Sequence, residues 1–149
     1  MKNILKITSL FFATLFLCCC NNDDEKPIAE IDKLPPATQT GANTFGCLLD
    51  GKAFLPGNEP NTLDCVYQLV NGEYYFSLQG NNDVNNLGVF IGLSTNAKQI
   101  VQNVTYTLES NMPSKAYGTY ALEGIFTTTD GSEYTGELTI TKLNEINHT

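Results

Sequence analysis

The residues best suited to covalent chemistry in this chain are its five cysteines, which fall into two groups. Three are consecutive at residues 18–20 and directly follow an apolar run over residues 7–17. The other two, Cys47 and Cys65, lie apart in a stretch that alternates apolar and polar residues. Two separate cysteines are an even pair, as expected in an oxidising compartment. The two groups therefore need separate explanations.

The apolar run has the features of an export signal. Lys2 and Lys6 supply positive charge before it. A permanent membrane-spanning helix needs roughly 20 apolar residues, so this run is too short to be one. Its length and flanks are typical of a signal-peptide core. We predict that residues 1–19 are a cleavable signal peptide.

The end of the run resembles the lipobox of bacterial lipoproteins, which has a leucine three positions before an obligatory cysteine and a small residue one position before it. Counted from Cys20, these are Leu17 and Cys19; counted from Cys19, the first is Phe16, which fits less well. The resemblance implies a diacylglyceryl thioether and cleavage at Cys20, with Cys19 as the alternative and palmitate-like acylation of the new amino end. Two or three acyl chains give stable anchoring, because each buried methylene contributes about 0.8 kcal/mol.

The residues after the cysteines predict where the chain is held. Residues 21–25, Asn-Asn-Asp-Asp-Glu, resemble the acidic tag of lipoproteins exposed on the outer membrane of some Gram-negative bacteria. We expect a lipid-anchored, surface-facing protein, with a solvated linker facing the periplasm as the alternative. Residues 20–43 are acidic and contain three prolines, which predicts a flexible tether of about 25–30 Å as a coil. An ordered edge strand near residues 28–31 is the alternative.

Charge excludes some partners. The chain has a net charge of −8, with sixteen acidic residues, eight lysines and no arginine. Nucleic-acid binding depends on lysine and arginine that neutralise phosphates, so nucleic acid is not expected as a partner. The bidentate guanidinium that recognises phosphate and carboxylate is also missing. We expect the membrane as a partner through the lipid, leave a glycan or protein partner open, and expect no cofactor.

The chain after residue 43 has the pattern of an all-β domain. Asp50-Gly51 and Asn71-Gly72 are strong two-residue hairpin turns. The second turn pairs Leu69 with Tyr74, Tyr67 with Phe76 and Cys65 with Leu78, all on one apolar face. Eight strands follow from the alternation, at residues 44–49, 52–55, 65–70, 73–79, 87–93, 104–108, 117–126 and 134–143. This predicts an antiparallel β-sandwich over residues 44–149, with a small β-barrel as the alternative.

Cys47 and Cys65 are predicted to face the interior of this domain. The turn at Asp50-Gly51 places Cys47 on the same face as Phe54, and the next hairpin places Cys65 on its apolar face. A Cys47–Cys65 disulfide would stabilise the fold by about 3 kcal/mol through loop-closure entropy. The alternative is a pair of separate buried thiols.

Catalytic and metal sites are only weakly indicated. His148 is the single histidine and lies next to the end of the chain, which is unsuitable for a triad or metal centre. Asp83 and Asn85 are weak calcium candidates, because residues 81–86 lack the glutamate and glycine of an EF-hand loop; a polar turn is the simpler interpretation. A glycosidase-like carboxylate pair would have to come from residues that solvation at turns and outward positions also explains: Asp50, Asp64, Glu73, Glu109 and Glu137.

Aromatic residues offer a further binding hypothesis. Five of them could line a groove suited to stacking against sugars or peptides: Tyr75, Phe90, Tyr106, Tyr117 and Tyr120. The alternative is core or cross-strand packing, which is common for aromatics in strands.

Three stretches resemble a family of small, uncharacterised Gram-negative outer-membrane lipoproteins: FGCLLDGKAF at residues 45–54, NGEYYF at 71–76 and YTGELTITKL at 134–143. The resemblance implies an anchored β-sandwich and no known activity. Relatives continue with further strands after the last stretch, so we expect the domain to be incomplete at its C-terminus. The predicted function is a non-enzymatic surface module for binding or structure. The alternatives are a carrier of a small apolar ligand in a β-barrel and an accessory of glycan-active enzymes.

Overall fold

The computed structural model describes residues 27–38, 40–82 and 88–144. These ranges contain a 3-10 helix at Glu30–Lys33 and nine strands, which confirms the all-β prediction. No helix in these ranges is long and apolar enough to cross a membrane. The strands are β1 Cys47–Leu49, β2 Lys52–Phe54, β3 Leu63–Val70, β4 Glu73–Asn82, β5 Val89–Asn96, β6 Val104–Leu108, β7 Lys115–Leu122, β8 Ile125–Thr128 and β9 Gly136–Ile140.

Seven strands form one large sheet, and β1 and β2 form a separate two-stranded sheet. The order in the large sheet is β3-β4-β5-β7-β6-β9, with β8 also paired to β7. Among the described residues no ladder joins β3 to β9, so the sheet is not closed there into the small barrel considered above. The expectation of purely antiparallel pairing is wrong at one place, since β6 runs parallel to β7 with Leu108 opposite Ala116.

The parallel contact arises because two strands share one edge of β7. β6 meets this edge at Ala116, whereas β8 pairs with it from Thr119 to Leu122. Thr129 lies at the fork between them. Its hydroxyl accepts a hydrogen bond from the Gly118 amide (3.0 Å) and donates one to the Glu109 carbonyl (2.7 Å). A side chain thus completes the hydrogen bonding where the two neighbouring strands separate.

Turn chemistry determines the hairpin registers. In the β3–β4 hairpin Cys65 lies opposite Leu78, and the other two pairs also match the prediction. Both turn residues have positive φ, 52° at Asn71 and 86° at Gly72, as a type I′ turn requires. The Asp50-Gly51 turn has the same geometry and joins β1 to β2. The prediction of both hairpins is confirmed.

A third hairpin of this type divides a predicted strand. Residues 117–126 were expected to be one strand, but β7 ends at Leu122 and β8 begins at Ile125. Glu123 and Gly124 between them have φ values of 51° and 79°. Glutamate is uncommon at positive φ, so the sequence gives a weaker turn indication here than Asn-Gly or Asp-Gly.

The core lies on one face of the large sheet. Leu138 and Ile140 of β9 are buried and Glu137 and Thr139 are exposed, as the alternation predicts. The buried cluster joins Phe76 of β4 to Leu138 and Ile140 of β9 at the far end of the strand order, so distant strands of the sheet share one core. Its members are Phe76, Ile100, Leu108, Ala116, Leu138 and Ile140, with Tyr67, Leu78, Leu93, Tyr106 and Leu143 packed against them.

The predicted tether at residues 20–43 is docked over part of its length. A carboxylate oxygen of Glu30 accepts a hydrogen bond from the Ala53 amide of β2 (2.8 Å). This hydrogen bond, with a second from Lys33, lowers the pKa of Glu30 below its ordinary value. A Cβ placed on Gly46 would lie 2.7 Å from Cδ of Pro35. Residues 27–38 therefore contact the β1–β2 hairpin, and residues 20–26 lie outside the described ranges.

The β1–β2 hairpin packs on the large sheet through a contact between the Phe45 ring and Gly80. The Phe45 ring packs over Gly80 of β4, so closely that a Cβ at Gly80 would lie 2.7 Å from Cδ1 of Phe45. Cγ of Pro56 would be 3.0 Å from the same position. Phe45 also makes an edge-on contact with Phe54, with ring centroids 6.2 Å apart.

Candidate functional site

The side of the large sheet opposite the core carries a regular array of side chains, which we call the aromatic face. Directly opposed residues on neighbouring strands point to the same side of a sheet, so the registers identify its members. One row crosses four strands as Val66, Ser77, Ser94 and Tyr117. A second row is formed by Asn81, Phe90, Ala121 and Phe126. Tyr75 shares the face because it precedes Ser77 by two residues.

The registers divide the five aromatic residues that were expected to share one groove. Tyr75, Phe90 and Tyr117 share the aromatic face, but Tyr106 and Tyr120 are on the opposite side of the sheet. The Tyr106 hydroxyl accepts a hydrogen bond from the Val101 amide (2.8 Å), and its ring packs against the core. The groove hypothesis is therefore wrong for these two, because the strand alternation places them on the core side of the sheet.

Small residues form the surface between the rings. The Ser94 hydroxyl donates a hydrogen bond to that of Ser77 (3.1 Å), and Ser94 is buried. Gly92 follows Phe90 by two residues, and a Cβ on it would lie 3.0 Å from Cε1 of the Phe90 ring. The ring thus leans over the glycine. The small side chains therefore form a shallow depression in the surface, bordered by aromatic side chains.

One end of the face exposes apolar rings. Phe126 is 67% exposed, an unusual degree for a phenylalanine in a paired strand. Its ring lies 6.2 Å from that of Phe90 at an interplanar angle of 60°. The two rings border a recess of about 310 Å³ that Asn81 and Ala121 also line. The recess is large enough for a small polar group.

The centre of the aromatic face carries no charge. From Tyr75 to Asn81 on β4, from Phe90 to Asn96 on β5 and from Tyr117 to Ala121 on β7, its side chains are aromatic, amide, hydroxyl or small. Asp64 and Glu73 lie at the margin, on or beside the edge strand β3, and Lys115 lies at the margin opposite Asn96, where its ammonium is paired with Glu109. In a chain with a net charge of −8, an uncharged area across several strands is a distinct feature.

Hydrogen-bonding groups remain available on this face. Within the described part of the chain, the side chains of Tyr75, Gln79 and Tyr117 make no hydrogen bond. Asn96 is engaged, since its amide donates to Asn111 across the end of the sheet (2.8 Å). The face therefore offers donors and acceptors beside aromatic rings, a combination suited to recognising an uncharged polar ligand.

The structure does not contain the predicted Cys47–Cys65 disulfide. Both residues are free thiols, and Cys65 is exposed where burial was expected. Cys47 lies opposite Phe54 in the small sheet and Cys65 opposite Leu78 in the large one, so the two belong to different ladders. Partial desolvation raises the pKa of both thiols, and at Cys65 the neighbouring Asp64 carboxylate raises the pKa further.

Cys65 borders a groove between the N-terminal segment and the large sheet. The groove has a volume of about 1140 Å³. Its lining includes Leu34 and Pro35 on one side and Leu63 and Leu78 on the other, so much of it is apolar. It lies on the core side of the sheet, away from the aromatic face.

The carboxylates considered for a glycosidase-like pair are dispersed. Asp64 lies opposite Gln79, Glu73 opposite Val70 and Glu137 opposite Thr107. Glu109 binds both of its oxygens to the Lys115 ammonium at 2.8 Å. No cluster of three metal-binding side chains occurs in the described ranges. Four named candidates lie outside these ranges, namely Cys19, Cys20, Asp83 and Asn85, as does His148.

Sequence reasoning missed Phe126, the most exposed ring of the face. Its place depends on the Glu123-Gly124 turn, which brings it opposite Ala121. A glycine preceded by a residue of low turn preference inside a long alternating stretch was the available indication. Comparisons with family models, curated proteins and solved structures found no match for this chain.

Proposed function

We propose that this protein is a lipid-anchored, surface-facing binding module of the outer membrane, attached at Cys20 or alternatively Cys19, and without catalytic activity. The observation that carries the binding role is the aromatic face, with its uncharged centre and unused hydrogen-bonding groups around Tyr75 and Tyr117. Exposed aromatic patches of this kind mark interaction surfaces. The lipobox-like residues before Cys20 and the acidic residues 21–25 support the anchored location, as does the resemblance to outer-membrane lipoproteins.

The docked N-terminal segment limits the distance between anchor and domain. Glu30 is bound to β2, so residues 20–30 connect the proposed lipid to a fixed point. Ten links span at most about 35 Å, since a chain extends by no more than 3.3–3.6 Å per residue. The domain would therefore be held next to the membrane. A tether that ran freely from residue 20 to residue 43 would allow a larger distance at full extension.

The anchor is tested on intact cells with labelled fatty acid and external protease. The wild-type chain should incorporate label and be digested from outside. Cys20→Ala should lose the label, whereas Cys18→Ala, a matched change in the same cluster, should keep it. Cys19→Ala distinguishes the two candidate positions. Label in none of the chains would contradict the anchor, and protection of a labelled wild type from protease would contradict the surface orientation.

A second candidate function is the carriage of a small apolar ligand. The groove of about 1140 Å³ beside Cys65 favours it, because this volume is slightly above the usual range of ligand sites and much of its lining is apolar. The carrier would hold its ligand between the N-terminal segment and the sheet, not inside a closed barrel.

The carrier function is tested with a fluorescent fatty acid. Alkylation of Cys65 with N-ethylmaleimide places a bulky group in the groove and should abolish the fluorescence increase. Cys65→Ser treated with the same reagent should keep it, since Cys47, the other thiol in the described ranges, does not line the groove. Equal fluorescence with and without alkylation of Cys65 would contradict carriage at this place.

A further inference from the structure

We infer that the aromatic face binds a neutral polysaccharide, a deeper assignment that rests on the binding-module function proposed above. Its occupant would lie across β4, β5, β7 and β8, in contact with Tyr75, Tyr117 and Phe126. Three properties of the face support this ligand: its centre is uncharged, its rings are spaced along a path, and the main-chain groups of its interior strands are already paired.

Charge complementarity points to an uncharged ligand. The centre of the face contains neither the cations that would hold an anionic polymer nor the carboxylates that would hold a cationic one, and the ammonium of Lys115 at its margin is paired with Glu109. The net charge of −8 also repels anionic chains as they approach. A neutral polymer faces neither cost, and its hydroxyls match the amide of Gln79 and the phenol groups of the two tyrosines.

The rings are spaced along a path, not gathered in one pocket. Tyr75 and Tyr117 are separated by one intervening strand and by two residues along the strands, or about 10 Å by 7 Å. Phe126 lies on the next strand, β8, opposite Ala121, which is four residues beyond Tyr117 on β7, so the path from Tyr75 continues diagonally across the sheet for roughly 25 Å. Rings at such intervals can each stack on the apolar side of one sugar in an extended chain, while the small residues between them, such as Ser94, leave room for it.

The backbone of the face argues against a peptide. Peptides that bind sheets usually add a strand at an edge, where main-chain groups are unpaired. β4, β5 and β7 are interior strands whose main-chain groups are used in their own ladders, and of the four strands that the ligand would cross only β8, at the end of the face, has an edge without a ladder within the described residues. Recognition here must come from side chains, and Tyr, Ser, Gly and Asn are well suited to it because they combine rings with adaptable hydrogen bonding.

Affinity electrophoresis of the full-length lipoprotein in detergent tests the inference. Native gels contain mannan, dextran or laminarin as neutral probes, polygalacturonate as the anionic probe and gelatin as the peptide probe. Retardation is expected with a neutral probe alone. Tyr75→Ala and Tyr117→Ala should each weaken it roughly 3- to 10-fold, the range of one lost aromatic contact. Tyr117→Phe, which keeps the ring, should retain most of the affinity.

Tyr120→Ala is the matched control, because Tyr120 lies on the same strand as Tyr117, is 36% exposed and points to the other side. Its retardation should equal that of the wild type. Denaturant midpoints of all variants show which ones are folded, and the selectivity of the wild type among the neutral, anionic and peptide probes keeps the test decisive if the alanine variants are not. No retardation by any neutral probe, preferential retardation by gelatin or polygalacturonate, or equal losses in Tyr120→Ala and Tyr117→Ala would each overturn the inference.

The two experiments distinguish failure of the polysaccharide assignment from failure of the proposed anchored location. Loss of anchoring in every chain with retardation intact would refute the surface location and leave the polysaccharide assignment standing. Anchoring at Cys20 without retardation would refute only the ligand class.

Discussion

Replacing Gly80 by alanine should destabilise the protein through a single contact. Gly80 lies in β4, where alanine would normally stabilise a strand by about 0.5–1 kcal/mol. Here the added methyl would lie 2.7 Å from Cδ1 and 2.9 Å from Cε1 of Phe45. Atoms do not approach this closely, so the Phe45 ring, and with it the β1–β2 hairpin, must move.

The magnitude follows from the size of that displacement. Inserting one methyl into a packed site usually costs 1–3 kcal/mol, and we expect Gly80→Ala to destabilise by about 2 kcal/mol. In a Phe45→Ala background the ring is gone, and of the three nearest atoms Cγ of Pro56, at 3.0 Å, remains. The same substitution should then change the free energy of unfolding by less than about 0.5 kcal/mol in either direction, because the strand preference offsets the remaining crowding.

Urea denaturation of the wild type, both single variants and the double variant measures this coupling. The difference between the two Gly80→Ala effects should be about 1.5–2.5 kcal/mol, well above the error of such cycles. An equal cost in both backgrounds would refute the reasoning, since it would mean that Phe45 does not limit the space at Gly80. A stabilised single variant would refute the seating of the hairpin on β4.

Three further predictions concern the core, a loop and a thiol. Ile100→Ala should cost about 2–5 kcal/mol in urea denaturation because this side chain is 1% exposed, whereas Val101→Ala, at 48% exposure, should cost less than about 1 kcal/mol. Asp130 accepts hydrogen bonds from the amides of residues 132, 133 and 134, and the first of these does most to lower its pKa. The loop held by these hydrogen bonds should be fully ordered above the ordinary aspartate pKa, and this order should be lost as the pH falls through the lowered pKa of Asp130. Amide NMR shifts should show the transition, and Asp130→Asn should remove it. Cys65 should react with iodoacetamide more slowly than a free peptide cysteine at pH 8, because partial desolvation and the Asp64 carboxylate raise its pKa. Asp64→Asn should accelerate the reaction, and an unchanged rate would contradict the effect of Asp64 on this pKa.

Local turn chemistry explains how much of the fold was predictable. The Asn71-Gly72 turn fixes the β3–β4 register residue by residue, because both positions need positive φ and asparagine and glycine accept it readily. Glu123 adopts the same conformation without that preference. Its turn is therefore stabilised by the pairing of β7 with β8. This pairing cannot be inferred from the residues of the turn alone. A strand boundary and an exposed ring at Phe126 were missed for this single reason.

Long-range contacts explain the rest. Composition correctly identifies residues 27–38 as rich in proline and charge, yet the hydrogen bond from Ala53 to Glu30 docks them on a hairpin some twenty residues away. The membership of the aromatic face likewise depends on strand order, since Tyr117 joins Ser77 only because β5 lies between β4 and β7. Alternation shows which residues of one strand share a side, but it does not show which strands are neighbours.

The fork at Thr129 gives the domain one region, the β7–β8 hairpin tip, that can open without the rest. Beyond this residue β8 holds to β7 by only four register pairs, from Thr119–Thr128 to Leu122–Ile125, and it shares no ladder with β6. Fraying of this hairpin tip leaves the β6–β9 ladder and the core beneath it intact. Native-state hydrogen exchange should accordingly separate the two, with amides near Ile125 exchanging by local opening and those of β9 only by global unfolding.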